Sequence, residues 1–109
     1  LIVDRNTNTI YVYELTERAF NVFEKETNYM AISGVKEITI NLHSPGGEVW
    51  AAYFIEEQIA ILKEHGIKII TKVDQQNACM SACPIIFLAG DERITYSNSV
   101  FMLHAPYVM

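Results

Sequence analysis

Residues 36 to 73 switch between two hydrophobic periodicities, and the switching leaves few ways to fold. "KEITINL" places Ile38, Ile40 and Leu42 in one set with Thr39 and Asn41 between them, a period of two that reads as a strand over 36–42. "HSPGG" ends it, because Pro45 cannot donate to a sheet ladder and Gly46 and Gly47 permit the dihedrals of a tight turn. From Glu48 the apolar residues Trp50, Ala51, Phe54, Ile55, Ile59 and Leu62 recur at helical spacing, with Gly66 as the C-terminal stop. "IKIITKV", 67–73, is then another strand, and its mixed apolar run suits a sheet covered on both faces.

The flanking segments keep this rhythm. "TIYVYELT" alternates Ile10, Val12 and Glu14 against Tyr11, Tyr13 and Leu15, a strand over 9–15. Thr16 is a suitable N-cap for a helix over 16–31 that carries Ala19, Phe20, Phe23, Met30 and Ala31 and stops at Gly34. After the polar "DQQN", a helix is expected from Ser81 to about Leu88, followed by two short strands in "RITYS" and "VFMLH". The order βαβαβαββ predicts one α/β domain over 1–109, a layered fold whose largely parallel sheet is flanked by helices.

Composition narrows the function classes. Half the residues are apolar, so a core can form, and 13 acidic against 8 basic residues give a formal charge of -5. The basic residues are scattered without aromatic interleaving, which argues against a nucleic-acid partner. No apolar run approaches the roughly 20 residues needed to span a bilayer. The chain opens on Leu1 with neither a basic stretch nor a small-residue cleavage site, so no signal peptide is read. A first residue other than Met suggests a trimmed chain, and cytoplasmic and exported (periplasmic) locations both stay open.

Chemistry can sit at three places. At "HSPGG" the backbone N–H groups of a strand-to-helix turn can face a negative oxygen, with glycine letting it approach; an ordinary loop is the alternative. Ser81, at the expected start of a helix, is either an N-cap or a nucleophile whose neighbour Ala82 offers a second N–H. His104 follows an apolar strand and precedes a proline, where a general base or a histidine bonded to a backbone carbonyl would fit. His43 and Gly46, at the glycine turn, are candidate substrate contacts, whereas His65 lies in a charged helix end. Cys79 and Cys83 bracket the serine. A disulfide between them would imply an oxidising compartment, and two buried unbridged thiols are the commoner arrangement. No further ligands at suitable spacing point to a metal, and no cofactor is implied.

Together "ITINLHSPGGEV", "ACMSACPIIFLAG" and "RITYSNSVFMLHAP" resemble the Clp protease proteolytic subunit and its wider superfamily over residues 36 to 106. The resemblance implies a serine peptidase of that layered, crotonase-like fold. Ser81 would be the nucleophile, His104 the base, and Gly47 and Ala82 the oxyanion donors. A peptide or protein substrate, a homo-oligomer and an ATPase unfoldase partner come with it. The family's triad acid lies well beyond its histidine, and neither Asp74 nor Asp91 matches that position, so the chain is expected to be cut short after the catalytic histidine. Cysteines beside the serine suggest a divergent branch. A crotonase-type acyl-CoA-binding protein needs no serine nucleophile and is one alternative. A non-catalytic interaction domain is the other.

Overall fold

A computed structural model describes residues 1–102. Its elements are β1 (Ile2–Asp4), β2 (Thr9–Val12), α1 (Glu17–Ile32), β3 (Glu37–Leu42), α2 (Val49–Glu64), β4 (Lys68–Val73), β5 (Ala78–Met80), α3 (Cys83–Leu88), β6 (Glu92–Thr95) and β7 (Val100–Met102). The main sheet runs β1-β2-β3-β4-β6, with β1 antiparallel to β2 and every other pair parallel. A second, two-stranded parallel sheet joins β5 to β7. The expected α/β layered architecture is therefore present.

Parallel register stacks like with like. Ile10, Ile40 and Thr71 form one row and Val12 with Leu42 another, all fully buried under the helices' apolar stripes. Along β4, Ile69, Thr71 and Val73 are buried while Ile70 and Lys72 are half-buried. That alternation corrects the expectation of a strand covered on both faces: one face of the sheet is fully covered within the described residues.

Helix ends follow the local chemistry. Thr16 caps α1 by accepting a hydrogen bond from the Ala19 N–H at 3.1 Å. Facing α1, the buried Gln58 of α2 donates to Thr27 Oγ1 and Asn28 Oδ1, at 3.0 and 2.8 Å, so a polar side chain inside the helix pair is satisfied.

Three expectations need correcting. The strand read over 9–15 stops at Val12, and Leu15 turns inward, fully buried, to make an isolated bridge with Gly47. β1 adds a strand to the expected order; it pairs with β2 through a turn that holds Asn8 at φ +52°. Finally, the helix expected from Ser81 begins at Cys83, because β5 intervenes and Ser81 and Ala82 form a turn between the two.

Candidate functional site

The glycine turn and the serine segment, remote in sequence, meet in space. Ser44 and β5 exchange backbone bonds, with Ser44 N–H donating to Ala78 O at 2.7 Å and Met80 N–H to Ser44 O at 2.9 Å. This lengthens the hydrogen-bonded edge of the small sheet into the turn and lays Gly46 on Ser81. A Cβ added to Gly46 would stand 2.6 Å from Ser81 Cβ and 3.1 Å from its Oγ. No side chain fits there, and φ of +99° at Gly46 independently favours glycine.

Ser81 itself has φ +59°, in the left-handed region that non-glycine residues seldom occupy. Its N–H donates to Met102 O at 2.7 Å, which ties the turn to the end of β7. It is not an N-cap; that position belongs to Ala82, and no side-chain cap bond is made. A serine held in a tight strand-to-helix turn, half-buried with its hydroxyl near a glycine, is a geometry that presents the Oγ.

Hydrogen bonding at the turn sorts the donors. Gly46 N–H is taken by Ser44 Oγ at 3.0 Å, and Glu48 N–H by Leu15 O at 2.8 Å. Gly47 N–H and Ala82 N–H have no acceptor among the described residues. Ala82 is the donor read from the residues themselves, and Gly47 is the one the family resemblance implied. Gly47 is itself obligatory for another reason: at φ +143° an added Cβ would run into the Leu15 backbone. An open hollow of about 410 Å³ runs along this turn, lined by Glu14, Leu15, Thr16, Gly46, Gly47 and Glu48.

The remaining candidates divide. His43 is exposed and its Nδ1 accepts from the Ala78 N–H at 3.0 Å, so this ring nitrogen is unprotonated and the ring braces β5 against the turn. His104 lies outside the described residues. Asp91 has Oδ2 on the Ile69 N–H and Oδ1 toward Lys63, and Asp74 is held by Asn41 Nδ2 at 2.9 Å and Lys72 Nζ at 3.2 Å. The amide of Asn41, and then Lys72, hold the Asp74 carboxyl below the usual carboxylate range against the opposing effect of burial. Both carboxylates serve the ends of sheet strands. Among the described residues no cluster of three or more metal-ligating side chains exists, and no helix is long and apolar enough to cross a membrane.

Cys79 and Cys83 are joined by a disulfide, both residues fully buried, with a Cα separation of 5.2 Å. The commoner arrangement of unbridged thiols is thus corrected: burial and bridging occur together. The spacing of four could not decide this, because Cα distance depends on Ser81 and Ala82 making a turn rather than a first helical turn.

Sequence reading missed three contributors: Ser44, whose backbone and hydroxyl shape the glycine turn; β5; and Met102 O. The serine of "HSPGG" was the one legible signal, since a serine two residues before a glycine can bond forward to its N–H.

What results is a layered α/β domain in which a strand-to-helix turn presents a serine to a glycine turn. The Clp protease family model matches residues 7–109, and the chain belongs to that family. Among solved structures, ClpP1 from Listeria monocytogenes is similar with a TM-score of 0.81 at 24% identity, covering 93% of this chain and 58% of that one. The ClpP protease catalytic domain from Plasmodium falciparum is similar with a TM-score of 0.78 at 20% identity, covering 93% and 56%. At these identities the likeness establishes the fold, and the chain spans a little over half the length of either. No curated protein matches significantly.

Proposed function

We propose that the chain is a serine peptidase domain that cleaves peptide bonds by acyl transfer. Ser81 Oγ attacks the carbonyl carbon, His104 takes the hydroxyl proton and returns it to the leaving amine, and water then releases the acyl group by the same route in reverse. Gly47 and Ala82 N–H groups receive the charge that develops on the carbonyl oxygen; losing one such donor typically costs about 3 kcal/mol of transition-state stabilisation. His43 and Gly46 flank the substrate path along the turn.

The observation that carries this reading is the packing of Gly46 against Ser81, whose backbone is strained at φ +59°. Strain persists only where its surroundings enforce it, and here the β5–β7 sheet and the glycine turn bridged to it do so around one hydroxyl. Family membership supports peptide chemistry over an acyl-CoA-binding role. It also supports a homo-oligomer served by an ATPase unfoldase, and the exposed apolar residues Val49, Trp50, Tyr53 and Phe54 on α2 suit a subunit contact.

A fluorophosphonate probe tests the assignment. Wild type is expected to be labelled at Ser81, located by mass spectrometry, with labelling lost in Ser81→Ala and reduced by roughly a thousandfold in His104→Ala. Labelling that persists in a folded Ser81→Ala variant overturns it.

A further inference from the structure

Acyl transfer makes no use of the disulfide, yet it encloses the candidate nucleophile. Cys79 lies in β5, where it pairs with Phe101 of β7 and bridges Ser44 of the glycine turn. Cys83 is the first residue of α3. Between them stand only Met80, Ser81 and Ala82, so the bridge closes a loop whose middle residue is Ser81. Loop-closure entropy grows with loop length, so a bridge this short constrains the whole unfolded chain little. Its consequence is local.

We infer that the Cys79–Cys83 disulfide is a positioning element for Ser81: it pins the start of α3 to β5, holds the serine in its left-handed turn, and makes the site sensitive to dithiol reductants. This rests on the reading of Ser81 as nucleophile. Both half-cystines are fully buried in a packed core, where two unbonded thiols cannot remain at bonding distance. The room they need comes from moving the first turn of α3 away from β5. Ser81 and Ala82 are the hinge of that movement, so the nucleophile and an oxyanion donor shift together. His43 and Ser44 hold β5 from the other side and keep the glycine turn in place.

The redox step is thiol–disulfide exchange. When the start of α3 opens locally and exposes a sulfur, a thiolate of a small dithiol attacks it and breaks the Cys79–Cys83 bond, giving a mixed disulfide. The reagent's second thiol then displaces the second cysteine. Two electrons and two protons pass to Cys79 and Cys83, and the reagent leaves as its cyclic disulfide.

The test compares the air-oxidised chain, the chain reduced by dithiothreitol, and the double variant Cys79→Ala, Cys83→Ala. Alkylation with mass spectrometry reports the bridge, 15N–1H spectra report the Ser81 and Ala82 amides, and fluorophosphonate kinetics separate the maximal rate from the half-saturating concentration. Reduction is expected to move both amide resonances and to lower the maximal labelling rate roughly tenfold or more with little change in half-saturation, as for a group acting on the reaction step. Reoxidation should restore both readouts, and the double variant should match the reduced chain. Equal labelling of Ser81 in both redox states overturns the proposal and leaves the peptidase reading standing. If neither state is labelled, the peptidase reading fails and the amides decide: shifted resonances uphold positioning, unmoved ones overturn it. Two free thiols in the air-oxidised chain, or collapse of the far-ultraviolet circular dichroism on reduction, also overturn it.

Discussion

Two glycines with similar backbone demands separate strain from function at the level of single residues. Gly34 ends α1 at φ +86° with nothing within 4 Å of where a Cβ would stand, whereas a Cβ on Gly46, at φ +99°, would meet Ser81 Cβ and Met80 O at 2.6 and 3.0 Å. Gly34→Ala therefore meets only the unfavourable dihedral, a cost of about 1 kcal/mol. Gly46→Ala adds a collision with a side chain and a carbonyl, and about 2 to 4 kcal/mol is expected. Chemical denaturation gives both stabilities, and fluorophosphonate labelling of the folded fraction distinguishes them further. Gly34→Ala should label like wild type, while Gly46→Ala should label markedly more slowly because relief of the clash displaces Ser81. Equal labelling of the two variants would remove the link between the glycine turn and the Ser81 hydroxyl.

Among the elements, those longer than a full hydrophobic period declared themselves. α2 and β3 lie within a residue or two of their expected bounds because one face of each is buried over many residues, and a stripe in sequence is the direct trace of such a face. β1 and β5, at three residues each, are too short to display any period. β5 exists through its partners, β7 on one side and Ser44 on the other, and neither is adjacent in sequence. The candidate site was legible in its residue types and not in its geometry. Nothing in "CMSAC" asks for positive φ, since no glycine or asparagine is present; tertiary bonds from Ser81 to Met102 and from Met80 to Ser44 impose it. Local signals sufficed at α1, where the Thr16 hydroxyl satisfies one of the helix's unpaired donors. Thr16→Ala should lower stability by about 1 kcal/mol, seen as a lower urea midpoint at unchanged slope. Because Thr16 also borders the hollow beside the glycine turn, labelling at Ser81 in the folded variant reads whether the change extends from the helix cap to that hollow.

Across the whole molecule the sheet is tied by charge at the C-terminal ends of β3 and β4, the end that leads into the glycine turn and β5, and this gives the fold a defined response to acid. Asn41 at the end of β3 donates to Asp74 just after β4, Lys72 pairs with the same carboxylate, and Ser99 Oγ donates to Val73 O and Asp74 O, so two strands and the segment leading into β7 share one polar knot. The Asp74 carboxyl is held below its ordinary value, chiefly by the Asn41 amide. Its unfolded form consequently binds more protons than its folded form as the pH falls past about 4, and stability from this group is present above that range and lost through the depressed folded value. Lys72 is shifted up by its hydrogen bond to Asp74, so its share persists through neutral pH and fades only in strong alkali. With the Asp74 side chain 40% exposed, solvent screening limits the effect to below about 1 kcal/mol. Asp74→Asn is therefore expected to melt at a lower temperature than wild type at pH 7, with the gap closing as the pH falls below about 4 and shrinking in high salt at neutral pH. A gap that stays constant from neutral pH to acid would mean that Asp74 acts through its shape alone. A collapse of Ser81 labelling in the folded Asp74→Asn variant at neutral pH would instead mean that this knot reaches the candidate site through the segment into β5, where the Asn77 N–H donates to Asp74 O.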